Sequence, residues 1–118
     1  MKRTPLFLAS TLLLAACSPH PGTGNWTATG ENGAGIAALT LSYDGRALFS
    51  TEVPKASWHC FWSAEGARDA VLDCTPSSHP DQEVRYHFRV RKNGEGELLR
   101  GEKVLGRFRR TGGKPEIS

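Results

Sequence analysis

The chain has 118 residues, of which 38% are hydrophobic and 23% are charged. This length provides one domain with one modest core. Residues 6–16 form the only long apolar segment and are too few to span a bilayer, which excludes a transmembrane helix. The formal net charge of +3 is unevenly placed, since residues 18–81 carry three basic and seven acidic side chains and residues 82–118 carry ten basic and five acidic ones.

The N-terminus has the organisation of a secretory signal peptide. A basic start at residues 2–3 precedes the apolar residues, and small residues come before position 17. The motif Leu14-Ala15-Ala16-Cys17 resembles the lipobox of bacterial lipoproteins. That resemblance implies a diacylglycerol thioether on Cys17, cleavage before this residue, and acylation of the new amino group with a fatty acid such as palmitate. The alternative is an ordinary signal peptide with a cysteine nearby by chance.

Lipidation would decide the location of the mature protein. Ser18 stands where, in the lipoprotein family, an Asp would favour retention in the inner membrane. We therefore expect an outer-membrane lipoprotein that faces the periplasm and is held by its acyl chains. Residues 1–16 are then the signal peptide, and residues 17–23 are the lipidated Cys and a short Pro/Gly tether.

The two remaining cysteines, Cys60 and Cys74, would lie in an oxidising compartment. We expect them to form a disulfide, which would close a loop of about 15 residues and stabilise the fold by roughly 3 kcal/mol in the chain-entropy model. A redox or metal-binding role would need a different spacing, such as C-x-x-C with a second ligand pair.

From residue 24 onward the sequence predicts an all-β fold. No window places apolar residues at helical spacing, whereas short β-rich runs recur about every ten residues and are separated by turn residues. The pattern predicts eight strands in an up-and-down antiparallel meander: 25–29, 35–43, 46–53, 57–63, 69–75, 83–91, 95–100 and 103–110. The domain is predicted to cover residues 24–110, followed by a flexible tail at 111–118.

Tight turns predict the register of the last three strands. Two-residue turns at Asn93-Gly94 and Gly101-Glu102 would place Phe88 opposite Leu99, Leu99 opposite Val104 and Glu97 opposite Gly106. The inner face would then carry Val84, Tyr86, Phe88, Val90, Leu99, Val104 and Phe108. The outer face would carry Arg85, His87, Arg89, Arg91, Arg100, Lys103, Arg107 and Arg109.

The disulfide predicts the register of the fourth and fifth strands. Only directly opposed residues of an antiparallel pair can be bridged, so Cys60 must face Cys74. This pairing aligns Trp62 with Leu72 and Trp58 with Pro76 on the inner face. The outer face of the same hairpin would carry His59, Phe61 and Asp73.

Eight strands are enough to close a small barrel, and closure removes the two exposed edges of a meander. Gly24-Asn25-Trp26, together with Arg107 and Arg109 on the last strand, resembles the lipocalin and wider calycin pattern. The resemblance implies that Trp26 plugs one end of the barrel and that an arginine of the last strand lies across it. Lipocalin chains are longer and have a helix after the barrel, so an open sandwich or half-barrel remains an alternative.

The sequence offers little support for enzymatic chemistry. No G-x-S-x-G elbow places a nucleophile beside a base. The four histidines are scattered, so exposed side chains are expected rather than a metal site, and no cofactor is expected. They are His20, His59, His79 and His87. Glu97 is either a buried acid paired with an arginine or a residue at the water-filled mouth of the barrel, and we favour the mouth.

The candidate interaction surface is the outer face of the last three strands. It would contact an envelope protein or an anionic lipid, or it would be a solvated face laced with acids such as Glu83 and Glu102. Nucleic acid is excluded by the compartment, and no aromatic residues interleave with these arginines. Leu98 and Leu105 would form an exposed contact on the same face, unless the register is off by one and they are buried. The candidate residues are Arg85, Arg89, Arg91, Leu98, Leu105, Arg107 and Arg109.

The sequence therefore favours a non-enzymatic binding module that acts through its surface. One alternative is an inhibitor or immunity lipoprotein directed against a periplasmic lytic enzyme, with the loop Ser77-Ser78-His79 as its contact. Another is a carrier of a small apolar ligand. The large inward side chains predicted for so small a barrel leave little room for a ligand, which favours surface recognition.

Overall fold

The computed structural model describes residues 19–30, 35–52, 55–76 and 81–117. These residues form one closed barrel of eight antiparallel strands in sequence order, in which β1 pairs with both β2 and β8. The predicted all-β fold, the strand count and the closure are therefore confirmed. The strands are β1 (Gly24–Ala28), β2 (Ile36–Leu41), β3 (Arg46–Glu52), β4 (Lys55–Ala64), β5 (Asp69–Pro76), β6 (Val84–Val90), β7 (Gly96–Arg100) and β8 (Lys103–Thr111).

Large side chains pack tightly inside the barrel. The Trp26 and Phe88 rings meet edge to face with centroids 4.9 Å apart, and Phe88 meets Phe108 at 6.2 Å. A second group joins Phe49 to Tyr86 at 5.4 Å. Such pairs add to the hydrophobic stabilisation that burial alone provides. The described core therefore consists of two aromatic groups packed among smaller apolar residues.

The hairpin of β4 and β5 has the predicted register. Cys60 faces Cys74 with Cα atoms 4.0 Å apart, and the two residues form a disulfide. Trp62 lies opposite Leu72, and Trp58 lies opposite Pro76. The predicted disulfide and both predicted faces of this hairpin are thus confirmed.

The register of β6 and β7 differs from the prediction by one residue. Phe88 lies opposite Leu98 rather than Leu99. The turn is the reason: Arg91 N donates to Glu95 O, and Gly94 N donates to Arg91 O, which makes a three-residue loop with Gly94 at a φ of 87°. Three-residue hairpin loops with glycine at the left-handed position are common, and N-G occurs in them as well as in two-residue turns.

A bulge then alters the pairing of β7 with β8. Leu99 faces Val104 as predicted, but a shift between Leu98 and Leu99 brings Glu97 opposite Arg107 instead of Gly106. Because side chains alternate, the predicted inward positions of Leu99 and Val104 are wrong. Val104 is 43% exposed, and Leu99, although shielded from water, lies outside the core cluster. The predicted core positions Tyr86, Phe88, Val90 and Phe108 are confirmed, and Val84 is partly buried against them.

The two ends of the barrel are built differently. At one end lie the start of β1, the end of β8 and the turns β2–β3, β4–β5 and β6–β7. The chain segments 19–23 and 112–117 also pack there through hydrogen bonds to barrel residues. We call this the closed end. The opposite end is formed by the other termini of the strands and by the β7–β8 turn.

Candidate functional site

The five arginines of the predicted interaction surface lie on the outside of the barrel and are exposed. They are Arg85, Arg89, Arg91, Arg107 and Arg109, and we call them the basic face. Four of them pair with acids. Arg85 contacts Asp73 at 2.8 Å and Arg89 contacts Asp69 at 3.0 Å, both on β5. The hydrogen bond from Arg85 to Asp73 also raises the pKa of the guanidinium. These pairs neutralise most of the charge that the sequence places on this face.

Glu97 links the other two paired arginines of the basic face. Its carboxylate is 3% exposed and lies 3.2 Å from Arg91 Nη1 and 3.5 Å from Arg107 Nε. Glu95 also approaches Arg107 Nε, at 3.9 Å. The structure thus gives the alternative that the sequence left open, a buried acid paired with arginines, and the favoured position at the mouth is wrong. The one-residue register shift between β6 and β7, which pairs Glu97 with the outward-facing Arg89, puts the acid on the outer face.

Leu98 and Leu105 do not belong to the basic face. Leu98 is 1% exposed and lies in the core, and Leu105 is partly buried against it. The predicted exposed leucine contact is therefore wrong, and the alternative of a register shifted by one residue is confirmed. The physical reason is that a one-residue slip moves every side chain of a strand to the other face.

An arginine does cross the tryptophan at the closed end, but it is a different one. The guanidinium of Arg110 lies 4.4 Å from the centre of the Trp26 ring. It donates hydrogen bonds to the carbonyl oxygens of Pro21 and Thr23. Arg107 and Arg109, which the sequence nominated, point outward. Because Arg110 pairs with Trp26 across the β1–β8 seam, its side chain shares the inner side of the sheet.

The backbone conformation and surroundings of Gly24 explain why a glycine stands two residues before Trp26. Its φ is 139°, and a Cβ built there would collide with Nη1 of Arg110. Only glycine accommodates both the backbone conformation and the close approach. The G-x-W sequence thus has a direct physical role in seating Arg110 on Trp26.

The segment before β1 is attached to the barrel rather than extending freely from it. His20 Nε2 lies 2.9 Å from the carbonyl oxygen of Gly66, and its ring packs 5.7 Å from that of Trp62. Trp26 Nε1 donates to the carbonyl oxygen of Gly22 at 3.0 Å. His20 was expected to be an exposed tether residue; it is half-buried and fastens residues 19–23 to the closed end.

The predicted tail also contacts this end. Asn25 Nδ2 donates to the carbonyl oxygen of Lys114 at 3.1 Å, and Arg46 Nη2 donates to that of Ile117 at 3.3 Å. Pro115 is buried. Both segments that flank the barrel therefore meet at the closed end.

A shallow groove lies beside them where β5 begins and β6 ends. It is lined by four cationic side chains and one acid, namely Arg68, Arg89, Arg91, Lys92 and Asp69, together with Val90 and Asn93. Asp69 is already paired with Arg89. Arg68 Nη1 donates to the carbonyl oxygen of Arg91 at 3.2 Å, and among the residues that the structure describes it meets no carboxylate partner. The groove therefore presents unneutralised positive charge.

Three large hydrophobic side chains of the described chain are exposed: Tyr43 at 69%, Phe61 at 72% and Val104 at 43%. Phe61 lies on the outer face of β4, opposite Arg46 on β3 and Asp73 on β5. His59, two residues along the same face, is exposed as well. The sequence placed Phe61 on the outer face but did not nominate it as a site. The sequence signal that could have identified this site is a phenylalanine at an outward position of a strand with alternating side chains.

Several nominated residues lie outside the described ranges, namely Cys17, Ser18, Ser77, Ser78 and His79. Within those ranges, no cluster of three or more His, Cys, Asp or Glu side chains is arranged to hold a metal ion. The part of the chain that the structure describes also has no helix of the length and hydropathy needed to cross a membrane. No family model, curated protein or solved structure matches the chain.

Proposed function

We propose that this protein is an outer-membrane lipoprotein that faces the periplasm, is anchored through Cys17, and binds an envelope protein through its outer surface without catalysing a reaction. The lipobox motif supports the anchor. The Trp26–Arg110 contact supports a likeness to the calycin barrels, with Arg110 in the role that was predicted for Arg107 or Arg109. The packing of the barrel interior supports recognition by a surface.

The observation that carries the proposal is the tight interior at Gly96. A Cβ added there would lie 2.9 Å from Cε1 of Phe88 and 3.2 Å from Cε3 of Trp26. Real Cβ atoms almost never come so close, so even a methyl group would not fit at this point without movement. Dense packing of this kind is typical of a protein core rather than of a ligand pocket. It disfavours the alternative of a carrier for an apolar ligand.

The best candidate for the binding surface is the patch around Phe61. Aromatic and arginine side chains are enriched at protein interfaces and supply most hot spots. Phe61 has Arg46 beside it on one strand, and Arg85 lies one strand beyond Asp73 on the other side. The exposed His59 extends the patch along β4. Because Arg46 pairs with Asp44 and Arg85 pairs with Asp73, the patch is close to neutral, and a partner with an apolar pocket for the Phe61 ring would fit it.

Mass spectrometry of the mature protein from bacterial envelopes tests the anchor. A diacylglycerol thioether and an N-terminal fatty acid on Cys17 are expected. An intact Met1 or an unmodified thiol at Cys17 would overturn the proposed location, and the partner would then have to be sought inside the cell.

Crosslinking of the lipidated protein in envelopes, followed by direct binding with the purified partner, tests the surface. Phe61→Ala should weaken binding at least tenfold, as expected for an aromatic hot spot. Val104→Ala is the matched control, because Val104 is also an exposed apolar residue on the outer face, and it should leave affinity unchanged. Equal losses in both variants, or substrate turnover by the purified protein, would contradict the proposal. A muramidase as partner would indicate an inhibitor.

A further inference from the structure

We propose that the closed end of the barrel is a membrane-contact surface that binds anionic phospholipid headgroups, so that the barrel stands on the membrane with its opposite end facing the periplasm. This inference rests on the proposed lipidation of Cys17. It adds an orientation and a second, non-covalent contact with the same membrane. Four features of the described residues support it.

The first feature is the attachment of residues 19–23 to the closed end. His20 reaches Gly66, Trp26 reaches Gly22, and Arg110 donates to Pro21 and Thr23. Cys17 precedes Pro19 by two residues, and an extended chain covers at most about 3.6 Å per residue. Two residues of chain therefore separate position 17 from the attached segment, a span of at most about 7 Å. A tether that short brings the closed end, and not the opposite one, to the bilayer.

The second feature is the free positive charge at this end. Arg68 and Lys92 line the groove, and neither forms an ion pair within the described ranges. The neighbouring acids are occupied: Asp69 pairs with Arg89, and Glu65 lies 3.3 Å from the His87 ring. Since those acids are already engaged, the groove cations remain available to phosphate oxygens.

The third feature is an exposed aromatic residue at the same end. Tyr43 lies in the β2–β3 turn and is 69% exposed. It lines a shallow depression with Pro115 and Ile117, whose backbone is fastened there by Arg46. Tyrosine is enriched at membrane–water interfaces, because its ring is apolar and its hydroxyl stays in the hydrated headgroup layer.

The fourth feature is the charge of the opposite end. The described residues there include four acids and three cations, and the acids would be repelled by an anionic surface. The acids are Glu52, Asp81, Glu83 and Glu102, and the cations are Lys55, Arg100 and Lys103. The closed end also carries acids, but seven cations outnumber five acids there, so an anionic bilayer favours this end on electrostatic grounds as well as through the lipid anchor. The cations are Arg46, Arg68, Arg89, Arg91, Lys92, Arg110 and Lys114, and the acids are Asp44, Glu65, Asp69, Glu95 and Glu116.

Site-specific photocrosslinking in vesicles tests the orientation. The lipidated protein, with acylation of Cys17 first verified by mass spectrometry, is reconstituted into phosphatidylethanolamine vesicles containing phosphatidylglycerol. A photoreactive phenylalanine analogue replaces either Tyr43 at the closed end or Glu102 in the exposed β7–β8 turn at the opposite end. Lipid adducts should form at position 43 at least five times more often than at position 102, since only the former lies in the headgroup layer.

The outcomes separate this inference from the proposed function. If Cys17 carries no acyl chains, the proposed function fails. If Cys17 is acylated but position 102 labels lipid as strongly as position 43, or position 43 does not label at all, only the orientation is overturned. Strong labelling at position 43 alone supports it.

Two matched double variants test the role of charge. Arg68→Gln with Lys92→Gln removes two cations from the closed end, and Arg100→Gln with Lys103→Gln removes two from the opposite end. The first should lower lipid labelling at position 43 about fivefold in vesicles containing phosphatidylglycerol, because each basic side chain near an anionic surface adds substantially to binding. The second should leave labelling unchanged. Equal losses in both variants, or the same loss in neutral phosphatidylcholine vesicles, would overturn headgroup recognition.

Discussion

The two ends of this barrel differ in how far they are covered by other parts of the described chain. At the closed end, the backbone of residues 19–23 is bonded to the side chains of Trp26 and Arg110, and the 112–117 segment is bonded to Asn25 and Arg46. At the opposite end, Trp58 and Val84 are only partly buried, and the β7–β8 turn is exposed.

This contrast indicates which surfaces of a small closed barrel can bind other molecules and which parts stabilise the fold. Closure of the sheet leaves no strand edge, so only the ends and the outer wall can meet other molecules. The closed end is fixed by both flanking segments of the described chain. The outer wall, in contrast, is stabilised by exposed ion pairs, which contribute little individually. We therefore expect substitutions at the closed end to affect stability more than matched substitutions at the opposite end.

The largest effect is expected for Trp26→Ala. Trp26 is 1% exposed and contacts Phe88 and Arg110, so its removal should lower the free energy of unfolding by about 3–5 kcal/mol. Trp58→Ala, at the less buried end of the barrel, should lower it by less than half as much. Urea unfolding followed by circular dichroism measures both. Equal losses would contradict the contrast between the ends.

Gly96→Ala should be the next most damaging change. The added methyl group would press on Phe88 and Trp26, and overpacking of this kind costs about 1–3 kcal/mol. Gly30→Ala is the matched control, because a Cβ there meets open space. It should be neutral or should stabilise by about 0.4–1 kcal/mol through the unfolded chain. Thermal unfolding compares the two, and a stabilising Gly96→Ala would refute tight packing at the closed end.

Arg110→Met should lower stability by about 1–2 kcal/mol, since it removes a cation–π contact and two hydrogen bonds to backbone carbonyls. Arg100→Met, on an exposed arginine near the opposite end, should change it by about 0.5 kcal/mol or less. Urea titration distinguishes them. If Arg110→Lys is as stable as the unsubstituted protein, stacking of the planar guanidinium on Trp26 does not stabilise the closed end.

The smallest effect concerns Tyr86 and alkaline pH. Burial raises the pKa of the Tyr86 phenol above its ordinary value of 10.0, although Arg100 opposes this in part. The folded state favours the neutral phenol, so this contribution to stability is complete below pH 10 and is lost as pH rises through the raised pKa. Tyr86→Phe should flatten the fall of the unfolding free energy above that pH. Urea titrations at several alkaline pH values measure the slope, and an unchanged slope in Tyr86→Phe would count against burial of the phenol.

The strand register could be predicted from the sequence only as well as the geometric constraint in each hairpin allowed. The cysteines fixed β4 and β5, because a cross-strand disulfide permits only one register. The β6–β7 hairpin had only an Asn-Gly turn, which is compatible with loops of two or three residues. The error of one residue there exchanged Leu98 and Leu99 and hid the burial of Glu97.

The sequence by itself determined the strand pattern, the number of strands and the disulfide, because alternation, turn residues and cysteine pairing are local or strictly geometric. The tertiary structure decided which arginine lies on Trp26, which acid is buried and which end holds the flanking segments. Those choices depend on a bulge in β8 and on contacts between residues far apart in the chain, such as Arg110 with Pro21 and Asn25 with Lys114. No local pattern encodes such contacts, since they exist only once the sheet has closed.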